Sequence, residues 1–114
     1  MRILLVCAGG FSTITMMESI KKIIAKSEKL NIEDFSPMEA ISVDRLVEKI
    51  TEFDIVLVAP QLGHKYGYVQ EIAKENNKPS ILLNAEIYGA MDGGTVLKQV
   101  LVAHKRYYTS KNEI

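Results

Sequence analysis

The chain has 114 residues, 47% apolar and 25% charged, and its 14 Lys and Arg balance 14 Asp and Glu. This length predicts a single domain that buries a core without staples. Zero net charge argues against nucleic acid or an anionic membrane as the main partner, since both select a basic excess. The one cysteine allows no internal disulfide and fits a reducing, cytoplasmic setting. No apolar run approaches the roughly 20 residues of a membrane span, and the N-terminus turns polar too soon for a secretory signal.

Taken in order, Arg2 to Cys7 is a short β-branched apolar run, the pattern of a strand buried on both faces. From Ser12 to about Lys26, Met16, Met17, Ile20, Ile23 and Ile24 recur on one helix face. Thr15 and Glu18 also fit a capping box that would start this helix a turn later, but Ser12 is the preferred start. Leu30 to Ile41 holds a weak strand near Pro37, which has no N–H to give and so belongs at a sheet edge. Val43, Leu46, Val47 and Ile50 predict a second helix face, capped by Ser42. Ile55 to Ala59 reads as a second buried strand, stopped by Pro60. Val69, Ile72 and Ala73 mark a short helix that ends in Asn76-Asn77-Lys78-Pro79. Ser80 to Leu83 is the last strand. Asp92-Gly93-Gly94 opens a final helix with Val96, Leu97, Val100 and Leu101 inward. The domain is expected over 1–104, with 105–114 a frayed tail.

Strands alternating with helices predict an α/β three-layer sandwich: a four-stranded parallel sheet with helices on both faces. Right-handed crossovers favour the order 2-1-3-4, with the proline-bearing strand at an edge. The winding then reverses between strands one and three, and such sheets bind ligands outside the strands' carboxyl ends at that point. Cys7 ends strand one there.

The stretch that follows, Ala8-Gly9-Gly10-Phe11-Ser12-Thr13, has the make-up of an anion cradle. Adjacent glycines let backbone amides converge, and a helix opening at Ser12 adds its positive end. The same field favours thiolate over thiol. A nucleophilic sulfur among amides suits the acceptance of a phosphoryl group, whose equatorial oxygens need donors. No carboxylate lies between Met1 and Met17 to repel the incoming dianion.

The run ILLVCAGGFST resembles the start of the lactose/cellobiose-type IIB component of the bacterial sugar phosphotransferase system. APQ at Ala59 to Gln61 and IYGAMDG at Ile87 to Gly93 resemble that family's segments after strand three and before the last helix. The resemblance covers Arg2 to about His104. It implies a phosphatase-I-like fold, with Cys7 as the phosphorylated residue and Ala8 to Thr13 as the phosphate loop. It also implies a IIA phosphohistidine protein as donor and a sugar on the IIC permease as acceptor. Where the family commonly has alanine-glycine-methionine-serine after the cysteine region, Gly-Gly-Phe-Ser stands here. No metal or cofactor is expected.

Two other readings remain. Low-molecular-weight tyrosine phosphatases and related arsenate reductases share such a loop. They require an arginine six residues after the cysteine to clamp phosphate, and an Asp-Pro acid. Thr13 stands at the first position, and the three prolines follow Ser36, Ala59 and Lys78. The third reading is a module that binds phosphorylated metabolites without being modified.

Around the thiol, Gln61, His64 and Tyr88 are candidate flanking residues. His64 is a second possible acceptor or a steering group, with a solvated loop histidine as the plainer alternative. Tyr88 is expected in a loop beside Cys7, as a docking residue or as packing. His104 is expected near a helix end, serving its dipole. The donor and acceptor both need access to Cys7, and a monomer is predicted.

Overall fold

A computed structural model of the protein describes residues 1–8 and 12–112. Four strands, β1 (Ile3–Cys7), β2 (Met38–Ser42), β3 (Ile55–Val58) and β4 (Ser80–Leu82), form one parallel sheet in the order β2-β1-β3-β4. The expected order is therefore the observed one. The proline-bearing strand is indeed at an edge, and Pro37 accepts from Ile3 N through its carbonyl just before β2 begins.

Every residue of β1 is buried, because helices cover both faces of a central strand. Its alternation sorts two cores. Ile3, Leu5 and Cys7 point into one, with Met16, Ile20 and Ile24 of α1 (Ser12–Lys26) and Val96, Leu97 and Val100 of α5 (Gly93–Asn112). Leu4 and Val6 point into the other, with Leu46 of α2 (Leu46–Lys49) and Val69, Ile72 and Ala73 of α3 (Tyr66–Glu75). These make the three layers.

Helix α1 runs from Ser12, so Thr15 and Glu18 lie inside it rather than at its start. The Met16, Ile20, Ile24 row is fully inward, whereas Ile23 is exposed at the stripe's margin. The second helical stretch differs more. A 3-10 turn at Val43–Arg45 precedes α2, with the Ser42 hydroxyl accepting from Asp44 N as the expected cap. Three residues per turn there align Val43 with Leu46 and turn Val47 outward, 65% exposed, against the expected face. Helix α3 ends with Asn77 at φ 58°, a left-handed stop that asparagine tolerates.

Tyr88 lies in a short helix, α4 (Ala85–Gly89), and not in a loop. Asn84 caps it through Oδ1, which accepts from Glu86 N at 2.8 Å and Ile87 N at 3.1 Å. Asp92 caps α5, accepting from Thr95 N at 3.1 Å and Thr95 Oγ1 at 2.6 Å.

The tail is the largest correction. Helix α5 continues through 105–112 instead of fraying. The Tyr108 hydroxyl donates to Asp54 O at 2.8 Å, and its ring lies 4.5 Å from that of His104. Leu97, Leu101, His104 and Tyr108 do recur at helical spacing, but two of the four are polar-tipped and hid the period. His104 accordingly sits two turns inside the helix rather than at its end, and partial burial pushes its pKa below the usual imidazole value. Nearby, Arg2 binds Asp54 by its backbone N at 2.7 Å and by Nε and Nη2 at 3.2 and 3.1 Å, tying the starts of β1 and β3.

Candidate functional site

Cys7 ends β1 at the crevice where the winding reverses, registered with Ser42 of β2. Its neighbour Val6 registers with Val58 of β3 and accepts from Ala59 N at 3.0 Å, which holds the β3 exit beside it. The side chain points to the α1/α5 side, and Cys7 is only 8% exposed. Donor and acceptor were expected to need access to Cys7, yet the residue is buried, in one apolar cluster with Met16, Ala59, Leu83 and Tyr88. The rim begins with Ala8, which is exposed.

Among the described residues, two polar partners meet the sulfur. The Thr13 hydroxyl donates to Sγ at 3.3 Å, and the thiol donates to Ile41 O at 3.5 Å. Thr13 is 1% exposed and sits in the first turn of α1. The sequence marked it as part of the loop and as the residue in place of a phosphatase's clamping arginine, six residues after the cysteine; its direct bond to the sulfur was not foreseen. The Ile41 carbonyl was not foreseen at all, since nothing local to Cys7 points to β2. No acidic residue occupies the first turn of α1, so its positive end is not offset.

Gly9, Gly10 and Phe11, expected in the phosphate loop, lie outside the described residues, as does the side chain of Ser12. Gln61 is exposed on the 3-10 segment Pro60–Lys65, two residues past Ala59 of the Cys7 cluster. His64, on the same segment, is exposed and lines a depression of about 390 Å³ with Val43, Asp44, Lys65 and Tyr68. Val43 belongs to the core on the opposite face from the sulfur, so His64 shares the pole of Cys7 but not its face. Tyr88 is 3% exposed and packs in the Cys7 cluster, which makes it a wall of the site from below rather than a docking residue. Among the described residues, no three of His, Cys, Asp and Glu converge as a metal site.

This arrangement is the fold of known IIB domains. The lactose-specific IIB component domain of the phosphoenolpyruvate:carbohydrate phosphotransferase system from Streptococcus pneumoniae superposes with a TM-score of 0.74, over 90% of this chain and 96% of that one, at 14% identity. A cellobiose-specific phosphotransferase IIB component protein from Borrelia burgdorferi superposes with a TM-score of 0.74 at 37% identity, over 94% of each chain. In sequence, the oligo-beta-mannoside-specific EIIB component of Bacillus subtilis (strain 168) is 28% identical over 100 residues, 88% of this chain and 92% of that protein. Residues 2–99 match the family described as PTS system, lactose/cellobiose specific IIB subunit. The chain belongs to that family of sugar phosphotransferase components.

Proposed function

We propose that Cys7 is a transient phosphoryl carrier. A phosphohistidine of a IIA protein donates to it, and a sugar held by a IIC permease at the cytoplasmic face of the membrane receives from it. The observation that carries this reading is the chain's lone cysteine at the winding reversal, with a buried threonine hydroxyl aimed at its sulfur.

The chemistry follows from those contacts. The thiol proton, directed at Ile41 O, leaves on ionisation, and the Thr13 hydroxyl stays as donor to the anion. The thiolate then attacks phosphorus in line: an S–P bond forms, the N–P bond breaks, and the electron pair returns to the donor imidazole. Ala8 to Thr13 supply the hydrogen-bond donors that hold the transferring group. In the second transfer a sugar hydroxyl displaces the sulfur. Positioning and charge stabilisation suffice when the nucleophile enters ionised.

The Thr13 contact also supports a carrier over a phosphatase. A phosphate-clamping arginine at this place would promote attack by water, whereas the threonine hydroxyl donates to the sulfur. A carrier needs a phosphoryl group that waits.

The test is reconstitution with phosphoenolpyruvate, the general phosphotransferase proteins and a IIA partner. Mass spectrometry should find one phosphoryl group on Cys7, and Cys7→Ser should abolish it while keeping the circular dichroism of the parent. Useful hydrolysis of an aryl phosphate by the wild type would favour the phosphatase reading. Tight binding of a sugar phosphate without modification would favour the sensing module.

A further inference from the structure

We infer that the groove between the edge of β4 and the middle of α5 docks an amphipathic helix of another protein, one carrying carboxylates about two turns apart beside its apolar stripe. The groove measures about 500 Å³ and is walled by Ile81 and Leu82 of β4 and by Lys98, Val102, Ala103 and Arg106 of α5. Leu82 and Val102 are 39% and 50% exposed, so the floor is apolar surface left in water.

Charge selects the occupant. Lys98, Val102 and Arg106 follow at i, i+4 and i+8, which puts a cation, an aliphatic side chain and a second cation along one stripe. At 1.5 Å per residue the two cations stand about 12 Å apart. No carboxylate lines the groove, and among the described residues neither cation closes a salt bridge. A helix with glutamates at matching separation pairs both and covers Leu82 and Val102 with its apolar face. A second copy of this chain fits worse, since two-fold pairing on this groove would set its cations against their own images. An added strand also fits worse. Outward-facing Ser80 O already accepts from the Tyr66 hydroxyl at 3.1 Å, and β4 has only three residues.

Position gives the surface its use. Leu82 registers with Val58 and Val58 with Val6, so the groove's upper end is level with the residue before Cys7. Two strand spacings, about 10 Å, separate β4 from β1. A helix seated there lies beside the thiol without covering it. Val102, Ala103 and Arg106 fall past residue 99, where the family match ends.

The experiment titrates the isotope-labelled protein with a synthetic leucine-faced amphipathic peptide bearing two glutamates two turns apart, and with the same peptide bearing lysines. Amide shifts should move at Leu82 and along 98–106 with the glutamate peptide alone. The double variant Lys98→Glu, Arg106→Glu, folded by circular dichroism, should bind it at least about tenfold more weakly, accept the lysine peptide instead, and keep normal phosphorylation. The inference fails if the double variant binds the glutamate peptide like the parent, or if the shifts map elsewhere. It also fails if sedimentation shows the free protein dimerising through these residues, or if phosphatidylglycerol vesicles engage them while the peptide does not.

Discussion

Thr13 and Cys7 stand six residues apart in the chain, and the buried threonine's Oγ1 donates to the buried cysteine's sulfur at 3.3 Å. A hydrogen bond to an ionised acceptor contributes about 1.5–3 kcal/mol. Thr13→Val keeps the shape and removes the donor. Alkylation of Cys7 by iodoacetamide at fixed pH should slow by about 10- to 100-fold if that whole contribution reaches the reacting anion. Thr13→Ser should restore most of the rate. An unchanged rate in the valine variant would detach the hydroxyl from the chemistry.

Gly93 and Ser19 set how closely α5 approaches α1. A Cβ on Gly93 would come within 2.6 Å of Ser19 Oγ, 2.8 Å of Ile20 N and 2.9 Å of Ser19 C. The last two are backbone atoms of α1, so the helices must separate. Gly93→Ala should cost about 1–3 kcal/mol in urea denaturation, despite alanine's better helix propensity. Gly94, whose nearest neighbours lie at 3.7 Å, is the control and should tolerate alanine.

Asp54 gives the protein an acid-sensitive clasp. Burial by itself raises its carboxyl pKa, but the hydrogen bonds and charge of Arg2 outweigh burial and leave it below the usual value. A depressed carboxylate pKa stabilises the fold above the unfolded value, near 4, and that stabilisation is lost as pH falls through the folded value. Asp54→Asn should therefore lower stability by about 1 kcal/mol at pH 7. Its urea midpoint should also fall less than the parent's on acidification from pH 5 to 3. Parallel curves for the two proteins would contradict the clasp.

Tyr108 is the check on the C-terminal turns of α5. Tyr108→Phe loses the bond to Asp54 O and should cost about 1 kcal/mol. Tyr108→Ala also removes the ring from His104 and should cost more, about 2–3 kcal/mol. Hydrogen exchange should show the amides of 105–108 protected in the parent and released in the alanine variant. Rapid exchange there in the parent would mean that the last turns add nothing.

Much of this molecule was legible from spacing. β1, β3 and the helix from Ser12 to Lys26 announce themselves because burial repeats with the period of the element. Pro37 placed its strand at the edge, since a proline cannot serve two neighbours. Val47 misled because a 3-10 turn changes the period from 3.6 to 3 without any mark in composition. Tyr88 misled because a five-residue helix is too short to show a period, and the tail misled because its inward residues are polar-tipped.

The sequence by itself determined the alternation of strands and helices, the parallel sheet and its order, and the cysteine's place at the end of the first strand. Those follow from local periodicity, from the handedness of crossovers and from where a proline can stand. Only the tertiary structure decided that the cysteine is buried, and that it meets Ile41 O from 34 residues away. It likewise decided that His64 opens on the other face, and that Tyr108 reaches back across 54 residues to Asp54. The reason is that a periodic pattern records which side of an element faces inward, but not which distant atom will be met there.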